Sequence, residues 1–387
     1  MKPKRPLRET PRKLLTTAII TAIAGFLSYL AIVPLSESLF GKLFSAPETS
    51  DFNMSDLYIQ FADARPVRHL DDRIVIVDIG YAGREEIAEA LEIVAIAEPK
   101  VVGLDVNFPY PRGYSDEYLI EGIRSQHEIV LPLALEQEPD GLFNVSERPF
   151  FYDSLRSDNI HYGVVNLPAK SQRASIREFE TSFRLRGDSV MPSYVVEMAR
   201  LGDPEAYRKY EARGKERETI DYASREFTVI PIDKLLDRAD ELTGKYVLIG
   251  SLGDAYDMHS TPLNSYQPGL TIHANALATL LDGAWYRMIP DWVDYVISIM
   301  LCFLVLFLAQ LIPGAGQRTI AIKVFQLLLL IGVVWLGYSL FIDNRIVFEL
   351  SYTFFVVEIG LLVLDVYDAI EEVALNRKLK KQRLSHA

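Results

Sequence analysis

The stretch RIVIVDIGYAGREEIAEALEIVAIAEPKVVGLD, residues 73–105, decides the fold. It begins and ends with short apolar runs rich in β-branched residues, at 73–78 and 100–105, which predict strands buried on both faces. Between them Ile87, Leu91 and Val94 recur at helical spacing. Two buried strands joined by a helix form a parallel βαβ unit.

The same alternation continues beyond this unit. Residues 115–126 predict a helix, residues 128–133 a third strand, and residues 245–250 a fourth strand that precedes a helix near 272–281. We therefore expect an α/β domain with a mostly parallel, doubly wound sheet. The less regular middle predicts strands at 159–167 and 176–185 and helices at 194–200 and 205–217.

Composition excludes two classes of function. The 387 residues carry a formal charge of -12 and a pI near 5.1, which argues against a duplex-binding surface, so no nucleic-acid partner is expected. Cys302 is the only cysteine, so neither an internal disulfide nor a zinc site built on several cysteines can form. We expect no bound metal and no cofactor.

Four apolar runs predict transmembrane helices, one before the α/β domain and three after it: residues 14–33, 293–312, 324–342 and 347–364. For the first run a cleaved signal peptide is the alternative, because six Lys and Arg residues precede it. The run is longer than a usual signal-peptide core and has no small-x-small cleavage site, which favours a retained anchor. The bilayer is then the first predicted partner.

Basic flanks predict the orientation. Positive charges cluster in the N-terminal tail at residues 1–13, in the 313–323 loop and in the C-terminal helix at 365–387. With four spans all three flanks lie on one side, which the positive-inside rule makes the cytoplasm. The domain at 34–290 is then extracytoplasmic, and both termini are cytoplasmic, as in a multi-pass protein of a bacterial inner membrane.

Several motifs resemble the second type of CHASE domain, an extracytoplasmic sensory module associated with cyclases and histidine kinases. They are the strands at 73–79, 100–105 and 163–166, the segment 245–257, Ser-Thr-Pro at 260–262 and PGLTIHANAL at 268–277. The resemblance covers residues 56 to about 364, including one span before the domain and three after it. It implies a sensory or ligand-binding role.

The chain departs from that family in three places. A Trp-Pro-Trp-type stretch after the first strand is missing, and Arg177 stands without a preceding Asp-Gly. Family members usually continue into a kinase, cyclase or protease-like output domain, whereas this sequence stops about twenty residues after the last predicted span. We therefore expect no catalytic activity of its own and a signal passed to a protein partner.

Four carboxylates follow strand ends and are candidate ligand-binding residues. Asp78 and Asp105 end apolar strands, and Asp254 and Asp257 follow the strand at 245–250. Open α/β sheets bind ligands outside the carboxyl ends of their strands, so a cation or a cationic or polyhydroxyl small ligand is conceivable there. The alternative is that these side chains cap helices and bind loop amides.

His259 and His273 are candidates for the same site, although their spacing is weak evidence for a metal. Otherwise they are satisfied polar residues that pack the loop on the sheet. The segment 250–253 lacks the lysine of a phosphate loop. Ser251 lies near Asp254 and His259 in sequence but outside a Gly-x-Ser-x-Gly elbow, so an enzyme is not expected.

Glu358 lies near the middle of the fourth apolar run, which also carries Glu349. An ionisable group at that depth is costly unless it faces other helices or a cavity, and Gln326, Tyr338 and Tyr352 are candidate neighbours. We expect Glu358 to face the bundle or a subunit contact.

The sequence leaves three functional interpretations. The first is a membrane-anchored sensory or ligand-binding protein that signals through a partner. The second is a structural or docking subunit of an envelope complex, and the third is an envelope hydrolase that uses the strand-end carboxylates. In the first two the basic C-terminal helix is either a headgroup anchor or a docking helix for a partner.

Overall fold

The computed structural model describes residues 10–35, 54–64, 69–168, 174–187, 189–222, 225–283, 285–312, 315–348 and 351–385. The chain forms two compact units. One contains Ile59–Tyr286, and the other combines Met1–Tyr58 with Arg287–Ala387. The basic tail at residues 1–9 and Glu349, both used above, lie outside the described residues.

The strands of the chain are β1 (His69–Asp78), β2 (Val101–Leu104), β3 (Ile129–Gln137), β4 (Phe143–Glu147), β5 (Ile160–Val164), β6 (Glu178–Glu180), β7 (Ser182–Arg184), β8 (Val190–Pro192), β9 (Arg217–Thr219), β10 (Arg225–Pro231), β11 (Tyr246–Gly250), β12 (Met258–His259), β13 (Gln267–Pro268), β14 (Arg287–Met288) and β15 (Ile346–Val347). The helices are α1 (Thr10–Leu35), α2 (Met54–Asp63), α3 (Arg84–Ile96), α4 (Ser115–Arg124), α5 (Tyr194–Gly202), α6 (Pro204–Glu211), α7 (Gly269–Asp282), α8 (Asp291–Leu311), α9 (Ala315–Asn344) and α10 (Ser351–Ser385).

A seven-stranded sheet organises the α/β unit. Its order is β10-β1-β11-β2-β3-β4, with β5 also paired to β3. The pairings are parallel except for that of β3 with β4. The sequence therefore predicted the α/β class and the parallel sheet correctly, because fully buried apolar strands need helical crossovers and cover on both faces.

Helices cover both faces of this sheet. Alternate residues of the central strands, such as Val75, Val77 and Val102, pack in one core with α3 and α4. The opposite face contacts α5 and α7, where Gly103 lies against Tyr194 and Met198 of α5. The alternation of side chains along a strand sends successive residues to the two helical layers.

The middle of the chain differs from its sequence prediction in several elements. The predicted strand at 176–185 is two short strands, β6 and β7, which pair with different partners. The predicted helix at 205–217 ends at Glu211, and residues 217–219 are a strand. Strands β4 and β10 were missed; unlike the central strands, they leave most of their side chains exposed or half-buried.

An ion-pair network fixes the edge strand β10 to β1 and α7. Buried Asp71 accepts hydrogen bonds from Arg73 and from Arg225 Nη1 at 2.7 Å, and both arginines also bind Asp282 at 2.7 Å. Burial opposes ionisation of Asp71, but the hydrogen bonds and charge of Arg73, with the charge of Arg225, outweigh it and lower its pKa to about 2. The network pairs the buried charges of Asp71 and Arg225, although Arg225 Nε has no hydrogen-bond partner among the described residues.

The other unit is a helical bundle. Its core joins α1, α8, α9 and α10 through Ile20, Ala24, Cys302, Val305, Leu306, Ala309, Ile322, Val356, Val357, Leu361 and Leu364. Polar pairs cross it: Ser298 Oγ lies 2.9 Å from Thr353 Oγ1, and Gln310 Nε2 donates to Thr17 Oγ1 at 2.8 Å.

Two helical segments of the described chain are long and apolar enough to cross a membrane, Trp292–Leu311 and Val324–Asn344. They follow the α/β domain and correspond to the second and third predicted spans. The predicted span at 347–364 begins differently, because Ile346–Val347 pair as a short strand with Arg287–Met288 and the helix begins at Ser351. The four-span arrangement stays a prediction.

Replacing Gly163 by alanine is expected to destabilise the α/β unit by about 1–3 kcal/mol. A Cβ at Gly163 in β5 would lie 2.5 Å from Tyr194 Cα, and backbone cannot move aside as a flexible side chain can. Gly253→Ala is the matched control, because a Cβ there has no described atom within 4 Å. Thermal unfolding of the full chain measures both, and equal melting temperatures for the two variants would contradict the close approach.

Candidate functional site

The carboxyl ends of three neighbouring parallel strands bring polar residues to one edge of the sheet. Asp78 is the last residue of β1, and Asp105 follows β2. Between them β11 ends at Gly250, whose carbonyl accepts from Ile79 N–H at 3.0 Å. Asp105 N–H donates to Ile249 O at 2.8 Å, which holds the Asp105 backbone beside the end of β11.

Asp105 and His273 form the buried part of this edge. His273 is on α7, and its Nε2 lies 3.9 Å from Asp105 Oδ2, beyond hydrogen-bond distance. The Tyr194 ring packs edge-on against His273 at a centroid distance of 5.4 Å. Among the residues that the structure describes, the buried Tyr194 hydroxyl has no hydrogen-bond partner. An unsatisfied hydroxyl, a carboxyl group and an imidazole thus meet behind the strand ends.

Asp257 and His259 form the more exposed part. His259 Nε2 lies 3.1 Å from Asp257 Oδ1. Asp257 sits at the N-terminus of α7, where a Cβ on Gly269 would lie 2.5 Å from its Oδ1. Glycine therefore permits this approach, and the positive end of the helix dipole favours the carboxylate there. Asp257 and His259 both act electrostatically on Asp105, so the two parts form one cluster.

Burial controls protonation in the cluster. Desolvation, and then the Asp257 carboxylate, raise the pKa of Asp105 to about 7 although His259 opposes this. Desolvation likewise lowers the pKa of His273 to about 4. Between these two pH values Asp105 is protonated and His273 is neutral. The inner pair then offers one acidic hydrogen-bond donor and one imidazole without net charge.

The remaining predicted carboxylates bind loop backbone. Asp78 Oδ1 accepts from the N–H groups of Gly80 and Leu252, each at 3.0 Å, and so ties together the loops after β1 and β11. Asp254 is exposed and accepts from Tyr256 N–H at 2.9 Å, capping a short 3-10 turn. Their observed contacts match the alternative weighed from the sequence, that of loop-binding aspartates. A ligand role for any of these residues stays a prediction.

Sequence reasoning missed Tyr194. The only signal was its place at the start of a short helix, and nothing in the sequence put that helix beneath the ends of β2 and β5. Gly103 and Gly163 belong to motifs seen in the sequence. The structure shows why glycine is needed at both positions: each lets α5 and its Tyr194 lie against the sheet.

Metal binding and acyl transfer gain no geometric support from the described residues. Within that part of the chain, no group of three or more His, Cys, Asp or Glu side chains is placed to hold a metal ion. Ser251 Oγ accepts from Gly253 N–H at 3.2 Å, a local loop contact.

Glu358 lies on α10 and faces a residue of α9. Gln326 Nε2 is 3.0 Å from each of its carboxylate oxygens, so one of the three predicted neighbours is adjacent. The Glu358 side chain is otherwise exposed in the single chain. The amide contact satisfies part of its polarity, and its expected place in a bundle or subunit contact stays a prediction.

The fold and the edge cluster define an α/β domain with polar groups at the carboxyl ends of parallel strands, followed by apolar helices. The model of the CHASE2 domain matches residues 38–309, which is more than half of the chain. The chain therefore belongs to the CHASE2 family, and the resemblance seen in its motifs is confirmed. CHASE2 domains are extracellular sensory domains, which is consistent with a sensor role. No curated protein and no solved structure matches the chain.

Asp105→Asn is expected to stabilise the protein increasingly as pH rises from about 4 to 7. The raised pKa means that the folded state holds the Asp105 proton more tightly than the unfolded state, so this contribution is lost as pH rises through 7. Three pKa units correspond to about 4 kcal/mol, an upper bound because the side chain is 17% exposed.

The measurement is chemical unfolding of the full chain at a series of pH values, compared between wild type and variant. His273 contributes the opposite slope, because its lowered pKa means that stability is lost as pH falls from 6.5 toward 4. Both proteins contain His273, so the difference between their unfolding free energies reports on Asp105. Asp254→Asn, at an exposed loop carboxylate, is the control. A pH-independent difference between wild type and Asp105→Asn would show that Asp105 is not held protonated.

Proposed function

We propose that this protein is a membrane-anchored sensor whose α/β domain binds an extracytoplasmic signal at the strand-end cluster and passes it to a protein partner. The observation that carries the proposal is the assembly of Asp105, His273 and the unsatisfied Tyr194 hydroxyl behind the carboxyl ends of the strands. The buried Tyr194 hydroxyl lacks a hydrogen-bond partner among the described residues, and such a group costs free energy, which favours binding of a polar ligand over simple packing. Membership of a sensory family supports the same conclusion.

The proposed activity is binding without catalysis. The inner groups are uncharged over much of the acid-to-neutral range, which suits recognition of a small polar ligand by hydrogen bonds. Asp78 and Asp254, which a hydrolytic mechanism based on strand-end carboxylates would use, are occupied by loop N–H groups.

We propose four membrane spans, with both termini in the cytoplasm and the α/β domain outside. The packing of the first and last predicted spans supports the four-span proposal, because Ile20 and Ala24 of α1 share one core with α8 and α10. This shared core supports placing α1 and α10 in the membrane beside the candidate span of α8. At one end of this bundle Lys13 Nζ donates to Gln310 O at 3.0 Å, and Arg12 pairs with Glu371 at 2.7 Å. A basic end favours the cytoplasmic side.

We propose that α10 presents the partner-binding surface. Leu362, Val366, Ile370 and Val373 are exposed and recur at intervals of three or four residues. They form a stripe on the side of α10 opposite to Val357, Leu361 and Leu364, which pack in the bundle core. The C-terminal part of the stripe extends beyond the predicted span at 347–364. An exposed apolar helix face outside a span is typical of helix docking.

The topology is tested by cysteine labelling with a membrane-impermeant maleimide. The native Cys302 is buried, so the unmodified chain gives the background. Tyr256→Cys, at a side chain that is 99% exposed in the α/β unit, is expected to react in intact spheroplasts. Ile370→Cys, at a side chain that is 64% exposed on α10, is expected to react only after permeabilisation. Equal labelling of both variants in intact spheroplasts would contradict the orientation.

The sensor proposal is tested by photo-crosslinking in native membranes, followed by mass spectrometry of the adducts. A crosslinker at Ile370 or Val373 is expected to capture a signalling protein. A crosslinker at Asp365, about 100° around the helix from Val366, is the matched control and is expected to capture much less. Capture of envelope-assembly components, or equal capture at all three positions, would favour the docking-subunit interpretation instead.

A further inference from the structure

A cavity lies in the α/β unit, away from the strand-end cluster. Its volume is about 730 Å³, within the range of small-molecule sites. It is bounded by β5, by the segment around β8, and by α5 and α6. It shares no lining residue with the Asp105 cluster, so its occupancy can be tested independently of the proposed function.

Aromatic side chains form part of its walls. Four tyrosines line it: Tyr152, Tyr162, Tyr207 and Tyr210. They form two pairs, with ring centroids 4.6 Å apart for Tyr152 and Tyr162 and 6.0 Å apart for Tyr207 and Tyr210. Burial raises the pKa of Tyr162 to about 12, so that phenol stays neutral. Neutral aromatic rings have electron-rich faces that attract cations.

Hydrogen bonds and ion pairs link the charged side chains at the base of the cavity. Arg200 donates to both oxygens of the buried Glu197, at 2.9 and 2.6 Å. His161 lies between two carboxylates, with Nε2 2.8 Å from Glu128 and Nδ1 3.4 Å from Glu197. Arg200 therefore matches the charge of Glu197, and His161 bridges Glu197 and Glu128.

The rim adds further acidic groups. Glu211 accepts from the Tyr207 hydroxyl at 3.1 Å, and Glu216 lines the same opening beside Lys215. Besides the paired Glu197 and Arg200 and the imidazole of His161, the lining carries two carboxylates, Glu211 and Glu216, against one lysine, Lys215. An anionic ligand would meet like charge here, whereas a cation would meet both ring faces and opposite charge.

We propose that this cavity is a binding site for a small organic cation, such as a quaternary or alkyl ammonium compound. The four tyrosines contact the apolar groups around the cationic centre, and the Glu211 and Glu216 carboxylates balance its charge. The site is distinct from the strand-end cluster and gives the sensory domain a second, chemically different input.

The test is calorimetric titration of the full chain in nanodiscs with choline and with its neutral isostere 3,3-dimethylbutan-1-ol. Choline is expected to bind and the isostere is not, because they share shape and differ in charge. Fluorescence is a second readout, since the Trp285 ring lies 6.3 Å from that of Tyr210. Equal binding of both compounds, or binding of neither at millimolar concentration, would overturn the proposal.

Variants at Tyr207 distinguish the contribution of the ring face to choline binding from that of the hydroxyl. Tyr207→Leu is expected to weaken choline binding about tenfold, whereas Tyr207→Phe keeps the ring and is expected to bind nearly as well as wild type. Tyr256→Leu, at an exposed tyrosine that does not line the cavity, controls for nonspecific effects. Thermal unfolding checks that each variant is folded. Unchanged affinity in a folded Tyr207→Leu protein would also overturn the proposal.

Discussion

The burial of the central strands on both faces is the constraint on which the α/β unit depends. The side chains of β11 and β2 are fully buried, as are four consecutive residues of β1, Ile74 to Val77. Such strands exclude water from their backbones, so each must pair with neighbours and be covered by helices. The crossovers that parallel pairing requires supply these helices. Because these strands are parallel, their carboxyl ends lie along one edge of the sheet.

Helix α5 lies unusually close to the strands on the second face of the sheet. Gly103 and Gly163 leave room for α5, whose Tyr194 is fully buried against the strands. This approach carries the tyrosine hydroxyl and the α7 imidazole to the ends of the strands. The polar cluster is therefore a product of packing: residues from β2, α5 and α7 meet because two glycines lack side chains.

Asp71 and Asp105 show how surroundings decide the behaviour of one residue type. Both are withdrawn from water, and burial alone raises the pKa of a carboxyl group. Asp71 has two arginines within hydrogen-bond distance, which hold it ionised. Asp105 has a neutral imidazole 3.9 Å away and the like charge of Asp257 nearby, which hold its proton. The first arrangement stabilises an edge of the sheet, and the second leaves a group that titrates near neutral pH.

The sequence by itself determined the elements whose signal is local. The apolar runs at 73–78, 100–105, 128–133 and 245–250 specified buried parallel strands, the apolar segments after the domain specified candidate spans, and the motifs specified the family. Only the tertiary structure decided which polar residues meet. The contacts of Asp105 with His273, of Glu197 with His161 and of Gln326 with Glu358 join residues 32 or more positions apart. Such contacts depend on how helices pack, and no pattern within a short stretch of sequence encodes that.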